Sequence, residues 1–314
     1  MPREIPSEAE VLGYFERCSN WGRWGPDDQL GTINYITPAK RKQGAGLVRE
    51  GVSVTCARPI APELAPDVYS PPLHYMTSSG ERWAGKKSQP NELQSSADFI
   101  GLQFHGLSVT HIDSLAHIFR DGKMYNDQPS DRVTTSEGAT VGSIDLLRDG
   151  VVTRGVLLDL PRAQGIKWIS EADGQFPHHL EEAERSCKVH VESGDALLVR
   201  TGALRRRNEE GPRNLRAARP GFHGACVPWF HEREVAVLGS DTAQDMTPSG
   251  YPQVPMPVHQ VGIVAMGLWL MDNANLEELA AACERYQRWE FMLTIGPLRV
   301  VNGTGSPVNP IAIF

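Results

Sequence analysis

Short apolar runs alternate with helix-like stretches through the second half of the chain. The apolar runs have the length of buried strands, and the stretches between them have the composition or spacing of helices. The predicted strands cover residues 155–160, 196–200, 235–239 and 291–295. The predicted helices cover residues 169–172, 177–186 and 276–286. This alternation predicts an α/β fold with a mixed central sheet and flanking helices.

The N-terminal part of the chain has a different pattern, which predicts a helical arm. Ser7, followed three positions later by Glu10, forms a capping-box pattern and predicts a helix over residues 7–15. Thr37 begins a second predicted helix over residues 37–48. We therefore divide the chain into an arm, residues 1–50, and a single large domain, residues 51–314.

The domain begins with a predicted strand at residues 52–57. Residues 59–90 follow it and are rich in proline, serine and glycine, a composition that favours a long excursion over the surface. Because long loops in compact domains often contribute to a site, this segment is a candidate for a functional role.

Charge and composition limit the partners of the chain. A net charge of −7 argues against nucleic acid, because phosphate binding needs a basic surface. The longest apolar run, residues 261–271, is shorter than the ~20 residues that span a bilayer, and the N-terminus shows no apolar signal segment. The five cysteines contain no C-x-x-C pair, which is typical of reduced thiols. We expect a cytoplasmic protein that acts on a small molecule.

One short segment carries the residue types of a metal site. The sequence VTHIDSLAHIF places His111, Asp113 and His117 in the pattern H-x-D-x-x-x-H. On a strand, His111 and Asp113 point to one face while Ile112 points to the core, and a helix after Asp113 would return His117 to the same side. Two imidazoles and a carboxylate suit Zn²⁺, Mn²⁺ or Fe²⁺. The alternative for a single histidine here is a hydrogen-bonded residue of the core.

Further ligands can come from distant sequence. His259 precedes the apolar run 261–271 and Asp272 follows it, so both are candidates, although a buried hydrogen-bonded histidine and a helix N-cap explain them equally well. His105 would point to the opposite strand face from His111, unless a bulge at Gly106 turns it. Asp241, which follows a predicted strand, is a further candidate.

Several motifs in the same order resemble a known family. The stretch HGLSVTHIDSLAHIFRDGKMYN is similar to the signature of the metal-dependent cyclase family, which includes bacterial kynurenine formamidase and isatin hydrolase. SGDALLVRTG, VAVLGSDT and GSPVNPIAI are also similar to segments of that family. The resemblance covers most of the chain and implies a single mixed α/β domain of the cyclase type, in homodimers or homotetramers.

The resemblance also implies roles for individual residues. It makes His111 and Asp113 metal ligands, and it gives His117 a second metal or a part in proton transfer. His259 and Asp272 match the later residues that complete the centre, although the family has Glu or Gln more often at the position of Asp272.

The sequence departs from the formamidases in the histidine four residues before the first ligand, where Leu107 stands. We therefore predict one divalent metal, Zn or Mn, with His117 and His259 in proton transfer. The family's arm often lines the active site, so Trp21 and Trp24 are expected to face substrate or to pack the arm on the domain. His105, Trp24 and Asp241 are our candidates for contact with substrate.

These inferences predict a metal-dependent hydrolase of an amide, lactam or lactone. A metal ion lowers the pKa of bound water toward ~7 and so supplies hydroxide near neutral pH. The sequence has no G-x-S-x-G and no P-loop motif, which disfavours serine hydrolases and nucleotide-driven enzymes. Three alternatives stay open: a cyclase or dehydratase with the same centre, a non-haem iron oxygenase that uses His111, Asp113 and His259, and a non-catalytic binding protein.

Overall fold

A mixed nine-stranded sheet forms the centre of the fold in the computed structural model, which describes residues 5–171 and 173–314. Its strands, in chain order, are β1 (Ser53–Thr55), β4 (His111–Asp113), β7 (Val151–Asp159), β9 (Ala196–Arg200), β11 (Val237–Ser240), β12 (Trp269–Asp272), β13 (Glu290–Ile295), β14 (Gly305–Pro307) and β15 (Ile311–Ile313). Three two-stranded ladders pair β2 (Leu73–Ser78) with β3 (Ala97–Gly101), β5 (Val133–Thr134) with β6 (Gly138–Ala139), and β8 (Gly174–Gln175) with β10 (Gly221–Phe222).

The order of the strands across the large sheet is β1-β15-β13-β7-β9-β11-β12-β4-β14. The four central strands, β7, β9, β11 and β12, are parallel, and antiparallel strands extend the sheet on both sides. All residues of β9, β11 and β12 are buried, as expected for parallel strands covered on both faces. The predicted α/β fold with a mixed sheet is therefore confirmed.

The helices cover the faces of the sheet. Their bounds are α1 (Glu8–Leu12), α2 (Tyr14–Arg17), α3 (Pro38–Ala45), α4 (Leu160–Gln164), α5 (Pro177–Cys187), α6 (Ala203–Glu210), α7 (Cys226–Glu232), α8 (Pro257–His259) and α9 (Glu277–Tyr286). A π-helix at Gln260–Met266 continues α8, and short 3-10 helices lie at Gly31–Tyr35, Gly80–Trp83, Tyr125–Asp127, Ser130–Arg132 and Ile144–Leu147. Within the described ranges, no helix is both long and apolar enough to cross a membrane.

Several predicted elements differ from the structure. The predicted helix 7–15 has its capping box at Ser7 but divides into α1 and α2 at Gly13. The predicted helix 169–172 is wrong over residues 169–171, which form no helix, while Ala172 lies outside the described residues. Residues 59–90 are not loop throughout, because they contain β2 of an exposed hairpin.

The N-terminal arm packs on the start of β12, the end of that strand away from Asp272. Residues 1–4 lie outside the described part of the chain. Thr32 donates a hydrogen bond from its backbone N–H to the carbonyl of Gly267, and Trp269 donates from Nε1 to the carbonyl of Leu30. Gly31 touches Gly267 so closely that a Cβ would lie 2.2 Å from its carbonyl oxygen, so glycine is required there. Trp24 packs edge-on against Tyr35, with ring centroids 5.0 Å apart.

His223, on the loop after β10, makes the fold sensitive to acid. Its Nδ1 accepts the N–H of Ala225 at 3.2 Å, and its burial lowers the pKa of the ring to about 4. The unfolded chain, with a histidine pKa of about 6.5, binds this proton more readily, so stability is lost as pH falls from 6.5 to 4. We expect His223→Gln to remove up to about 3 kcal/mol of this pH dependence. Denaturant unfolding of both proteins at pH 7 and pH 4.5 measures it, and equal pH slopes would contradict the assignment.

Candidate metal centre

The apolar run that separates His259 from Asp272 is a hairpin-like excursion that returns to its starting point. From His259 the chain runs through the π-helix, reverses direction at Gly267, where φ is 67°, and returns along β12 to Asp272. His259 Nε2 and Asp272 Oδ2 lie 3.5 Å apart as a result. Both residues are buried. The two candidates that the sequence separates by thirteen positions are neighbours in the structure.

The strand β4 brings the other part of the centre to the same place. It pairs antiparallel with β12, so that His111 lies opposite Asp272 and Asp113 lies opposite Leu270. Because side chains alternate along a strand, His111, Asp113 and Asp272 share one face, and the fully buried Ile112 occupies the other. The N–H of His117 donates to the carbonyl of Ser114 at 3.1 Å and closes a turn. A turn therefore stands where the sequence analysis places a helix to return His117 to the side of Asp113.

Asp113 is the centre of the cluster. Its Oδ1 lies 2.9 Å from His105 Nδ1 and 3.4 Å from His111 Nε2, and its Oδ2 lies 3.7 Å from His259 Nε2. Neither oxygen accepts a well-directed hydrogen bond from any described residue, although the side chain is only 1% exposed. A buried carboxylate left in this way is costly unless a cation is close to it.

The Nε2 atoms of His111 and His259 face Asp113. His111 donates from Nδ1 to the carbonyl of Val109 at 2.9 Å, which leaves Nε2 as an acceptor. His259 donates from Nδ1 to Asp245 Oδ2 at 2.6 Å, and its Nε2 faces Asp113 and Asp272. A carboxylate or carbonyl behind each ring is the usual support of a metal-binding histidine. The donor set therefore fits a divalent cation.

Two overlapping groups of ligand atoms meet at Asp113. One consists of His105, His111 and Asp113, and the other of Asp113, His259 and Asp272. Within each group the ligand atoms lie within 4.8 Å of one another. Nitrogen and carboxylate oxygen in this combination are typical ligands of Zn²⁺ and Mn²⁺.

Charge and burial act in opposite directions on the ionisable groups of the cluster. Burial raises the pKa of Asp113, but the surrounding histidines, His117 first, outweigh it and hold the pKa below its usual range. Burial lowers the pKa of His117 to about 4. For His259 burial also lowers the pKa, but Asp272 and Asp245 outweigh it and raise the pKa to about 10. The cluster thus stabilises positive charge between the carboxylates of Asp113, Asp245 and Asp272.

His105 corrects our expectation that it would point away from His111. Residues 102–110 form no strand and bend at 105–109, so the alternation of a strand does not apply, and β4 begins only at His111. The ring of His105 stacks on that of His117 with centroids 3.9 Å apart, and its Nε2 lies 3.1 Å from Thr304 Oγ1. This chain thus brings an imidazole to the centre from position 105, whereas the formamidases have their histidine at the position of Leu107.

Gly305 is required for the position of His105. A Cβ on Gly305 would lie 2.8 Å from His105 Cε1 and 2.7 Å from the carbonyl oxygen of Ile112. We expect Gly305→Ala to displace the ring and weaken metal binding about 10- to 100-fold, as loss of a supporting contact does. Gly106→Ala is the matched control, because a Cβ there meets nothing within 4 Å. Titration of both variants with Zn²⁺ after chelation compares them, and equal affinities would contradict this role.

The structure uses two of the weaker candidates elsewhere. Both carboxylate oxygens of Asp241 accept hydrogen bonds from the turn at 201–203, at 2.7 to 3.1 Å, and the residue is fully buried. Asp241 therefore fixes the start of α6, so we do not retain it as a substrate contact. Trp24 packs within the arm against Tyr35, and the Trp21 ring donates to the carbonyl of Val264, which corresponds to the packing alternative.

Two polar residues of the centre were missed in the sequence. Asp245 accepts from the N–H groups of Val258 and His259 as well as from the His259 ring. Gln244 donates from Nε2 to Asp272 Oδ1 at 3.0 Å. The signal was the polar stretch SDTAQD directly after an apolar strand, since polar residues at the carboxyl end of a buried strand commonly belong to a site.

Comparison with known proteins gives a consistent result. The model of the Cyclase family matches residues 57–244. The crystal structure of a novel cyclase is 30% identical, with a TM-score of 0.85 over 96% of this chain and 99% of that one. Among curated proteins the comparison finds no match.

Two more distant structures share the fold. Isatin hydrolase A from Labrenzia aggregata, bound to benzyl benzoate, is 20% identical, with a TM-score of 0.58 over 85% of this chain and 94% of that one. The predicted metal-dependent hydrolase from Bacillus stearothermophilus is 13% identical, with a TM-score of 0.52 over 83% and 97% of the two chains.

Proposed function

Because the chain belongs to the Cyclase family, we propose that it is a metal-dependent hydrolase of an acyl C–N or C–O bond in a small molecule. The substrate class comprises amides, lactams and lactones. The names of the isatin hydrolases and of the metal-dependent hydrolase among its structural neighbours support this class. The mixed α/β sheet also differs from the all-β jelly roll that an iron oxygenase with this triad would favour.

The observation that carries the proposal is the carboxylate of Asp113. It is buried, lacks a well-directed hydrogen bond within the described chain, and has imidazole nitrogens on several sides at 2.9 to 3.7 Å. Asp113 would hold the cation together with His105 and His111 or together with His259 and Asp272. When bound, one divalent cation supplies Lewis acidity at the acyl carbonyl and a water of lowered pKa.

His117 and His259 have different roles beside the cation. His117 is partly exposed beside the cluster, so it can accept a proton from the attacking water and return it to the leaving nitrogen or oxygen. His259 is buried and its ring donates a hydrogen bond to Asp245, so we assign it to binding the cation rather than to proton transfer. Reversal of the same steps would close a ring, so the cyclase alternative uses the same centre.

Elemental analysis of the purified protein, together with a screen of amides, lactams and lactones, tests the proposal. We expect about one Zn or Mn per chain and hydrolysis that a chelator abolishes and the metal restores. Two ions per chain would mean that both ligand groups around Asp113 are used. Failure to bind Zn²⁺ or Mn²⁺ would overturn the proposed function, whereas a bound metal without any turnover would favour a binding protein.

We also propose that the chain forms a homodimer or homotetramer. The hairpin of β2 and β3 supports this, because its apolar side chains at Leu73, Tyr75, Phe99 and Ile100 are 44 to 62% exposed. Exposed apolar patches of this kind commonly mark interfaces. Size-exclusion chromatography with light scattering measures the assembly, and a monomer at micromolar concentration would contradict it.

A further inference from the structure

Two arginines beside the metal centre form no salt bridge with a carboxylate of the described chain. Arg58 follows β1 and donates from Nη1 to the carbonyl of Leu107 and from Nη2 to the carbonyl of Asp241. Its Nε is buried and has no partner among the described residues. Burial lowers the pKa of Arg58 to about 10, so the side chain stays charged at neutral pH.

Arg219 is the second of these residues. It is 8% exposed and donates from Nε to the backbone carbonyl of Asp245 at 2.9 Å. Within residues 5–171 and 173–314, we find no acidic side chain in salt-bridge contact with it. Buried arginines are normally paired, because an isolated charge is costly to remove from water. Both guanidinium groups are thus oriented by backbone carbonyls and keep donors free.

The other arginines around the same cavity differ in this respect. Arg207 pairs with Asp67 at 2.5 Å and with Glu63 at 2.9 Å. Arg213 pairs with Glu210 at 2.5 Å, and Arg206 pairs with the same glutamate at 2.9 Å. The carboxylate of Asp241, which is close to Arg58, is already occupied by the turn at 201–203. The missing partner of Arg58 and Arg219 is therefore an anion from outside the described chain.

The cavity that both arginines line adjoins the candidate metal centre. Its wall includes Leu107, two positions after His105, and Asn273, which follows Asp272. It also includes Ala243, which precedes Gln244. This cavity has room for about two water molecules, which is comparable to the size of one carboxylate group. A second cavity shares Arg58 and Arg207 with it and offers space for the rest of a ligand.

We propose that Arg58 and Arg219 bind the carboxylate of an acidic substrate, so that the hydrolysed molecule is an amide, lactam or lactone that also carries a carboxylate. This inference rests on the proposed function for its catalytic part. Two guanidinium groups with free N–H donors match the planar geometry of a carboxylate better than they match a neutral ligand. The binding site itself can be tested without turnover.

Calorimetric titration of the metal-loaded protein with benzoate and with the neutral isostere benzamide is the test. We expect benzoate to bind at least about tenfold more tightly than benzamide, and Arg219→Gln or Arg58→Gln to remove that preference. Arg219→Lys should keep part of it, because the charge remains while the planar fork is lost. Arg205→Gln, at a residue that is paired with Glu209 and lines neither cavity, is the matched control and should bind benzoate like the unmodified protein.

The metal could itself bind benzoate, so the titration is repeated on Asp113→Asn. Benzoate binding that survives in Asp113→Asn and is lost in the arginine variants supports the proposal. Binding that is lost in Asp113→Asn and unchanged in Arg58→Gln and Arg219→Gln would overturn it, as would equal binding of benzoate and benzamide. Thermal unfolding of each variant shows that it is folded. Hydrolysis of neutral amides without any preference for benzoate would leave the proposed function intact and remove only this inference.

Discussion

Replacement of Asp113 by asparagine is expected to leave a folded chain that no longer retains a divalent metal. Asp113 belongs to both groups of ligand atoms, so its loss removes a ligand from each. Since loss of a merely supporting contact costs about 10- to 100-fold, we expect metal affinity and hydrolysis to fall by more than about 100-fold. Elemental analysis after gel filtration and rates of amide or lactone hydrolysis measure both effects.

The stability of the metal-free protein provides a second measurement of the same change. In the absence of a metal, the histidines around Asp113 hold the pKa of its carboxyl below the usual range, so the ionised carboxylate stabilises the folded state and asparagine removes this contribution. Metal-free Asp113→Asn should therefore melt at a lower temperature than the metal-free parent. Asp98→Asn is the control, because Asp98 pairs with His74 on the surface and should change neither metal content nor activity. Retention of a full metal complement by Asp113→Asn would refute the assignment.

Asp245→Asn is expected to have the second largest effect. Asp245 accepts three hydrogen bonds, from the N–H groups of Val258 and His259 and from the His259 ring at 2.7, 3.1 and 2.6 Å. Asparagine offers a single acceptor oxygen, so at least one buried donor loses its partner and the ring loses its orientation. We expect metal affinity to fall about 10- to 100-fold and the free energy of unfolding to fall by about 1–3 kcal/mol.

Asp241→Asn separates these two effects. Asp241 is equally buried and also accepts several hydrogen bonds, but its partners belong to the turn at 201–203. It should lose stability by a similar amount and still bind metal with unchanged affinity. Zinc titration and denaturant unfolding of the two variants give the comparison. Equal losses of metal affinity would mean that Asp245 acts only through the stability of the fold.

The sequence was most informative where burial sets the pattern. The apolar runs at 196–200 and 235–239 are strands β9 and β11 because both faces of these strands are covered, which leaves no polar alternation to read. The spacing of His111 and Asp113 predicted that both side chains lie on one face of β4, because the two-residue period holds for any strand.

The rest of the centre depends on geometry that local patterns do not contain. His105 reaches the cluster through bends at 105–109, and its ring contacts a distant residue, Thr304. Asp245 was missed because its partner lies fourteen positions later, in a helix that neither propensity nor periodicity locates. The run 261–271 changes from π-helix to strand at Gly267, a change that a uniform apolar composition does not reveal.

The strands near the C-terminus have a consequence for how the protein is made. β14 pairs with β4 at the metal centre, and β15 joins β1 to β13 near the other edge of the sheet. During translation, residues 305–313 leave the ribosome roughly two hundred residues after His111, so β4 is synthesised long before its neighbour β14. A nascent chain therefore displays the metal-binding residues before the frame that orients them exists. Closure of the sheet and assembly of the centre therefore both depend on residues 305–313.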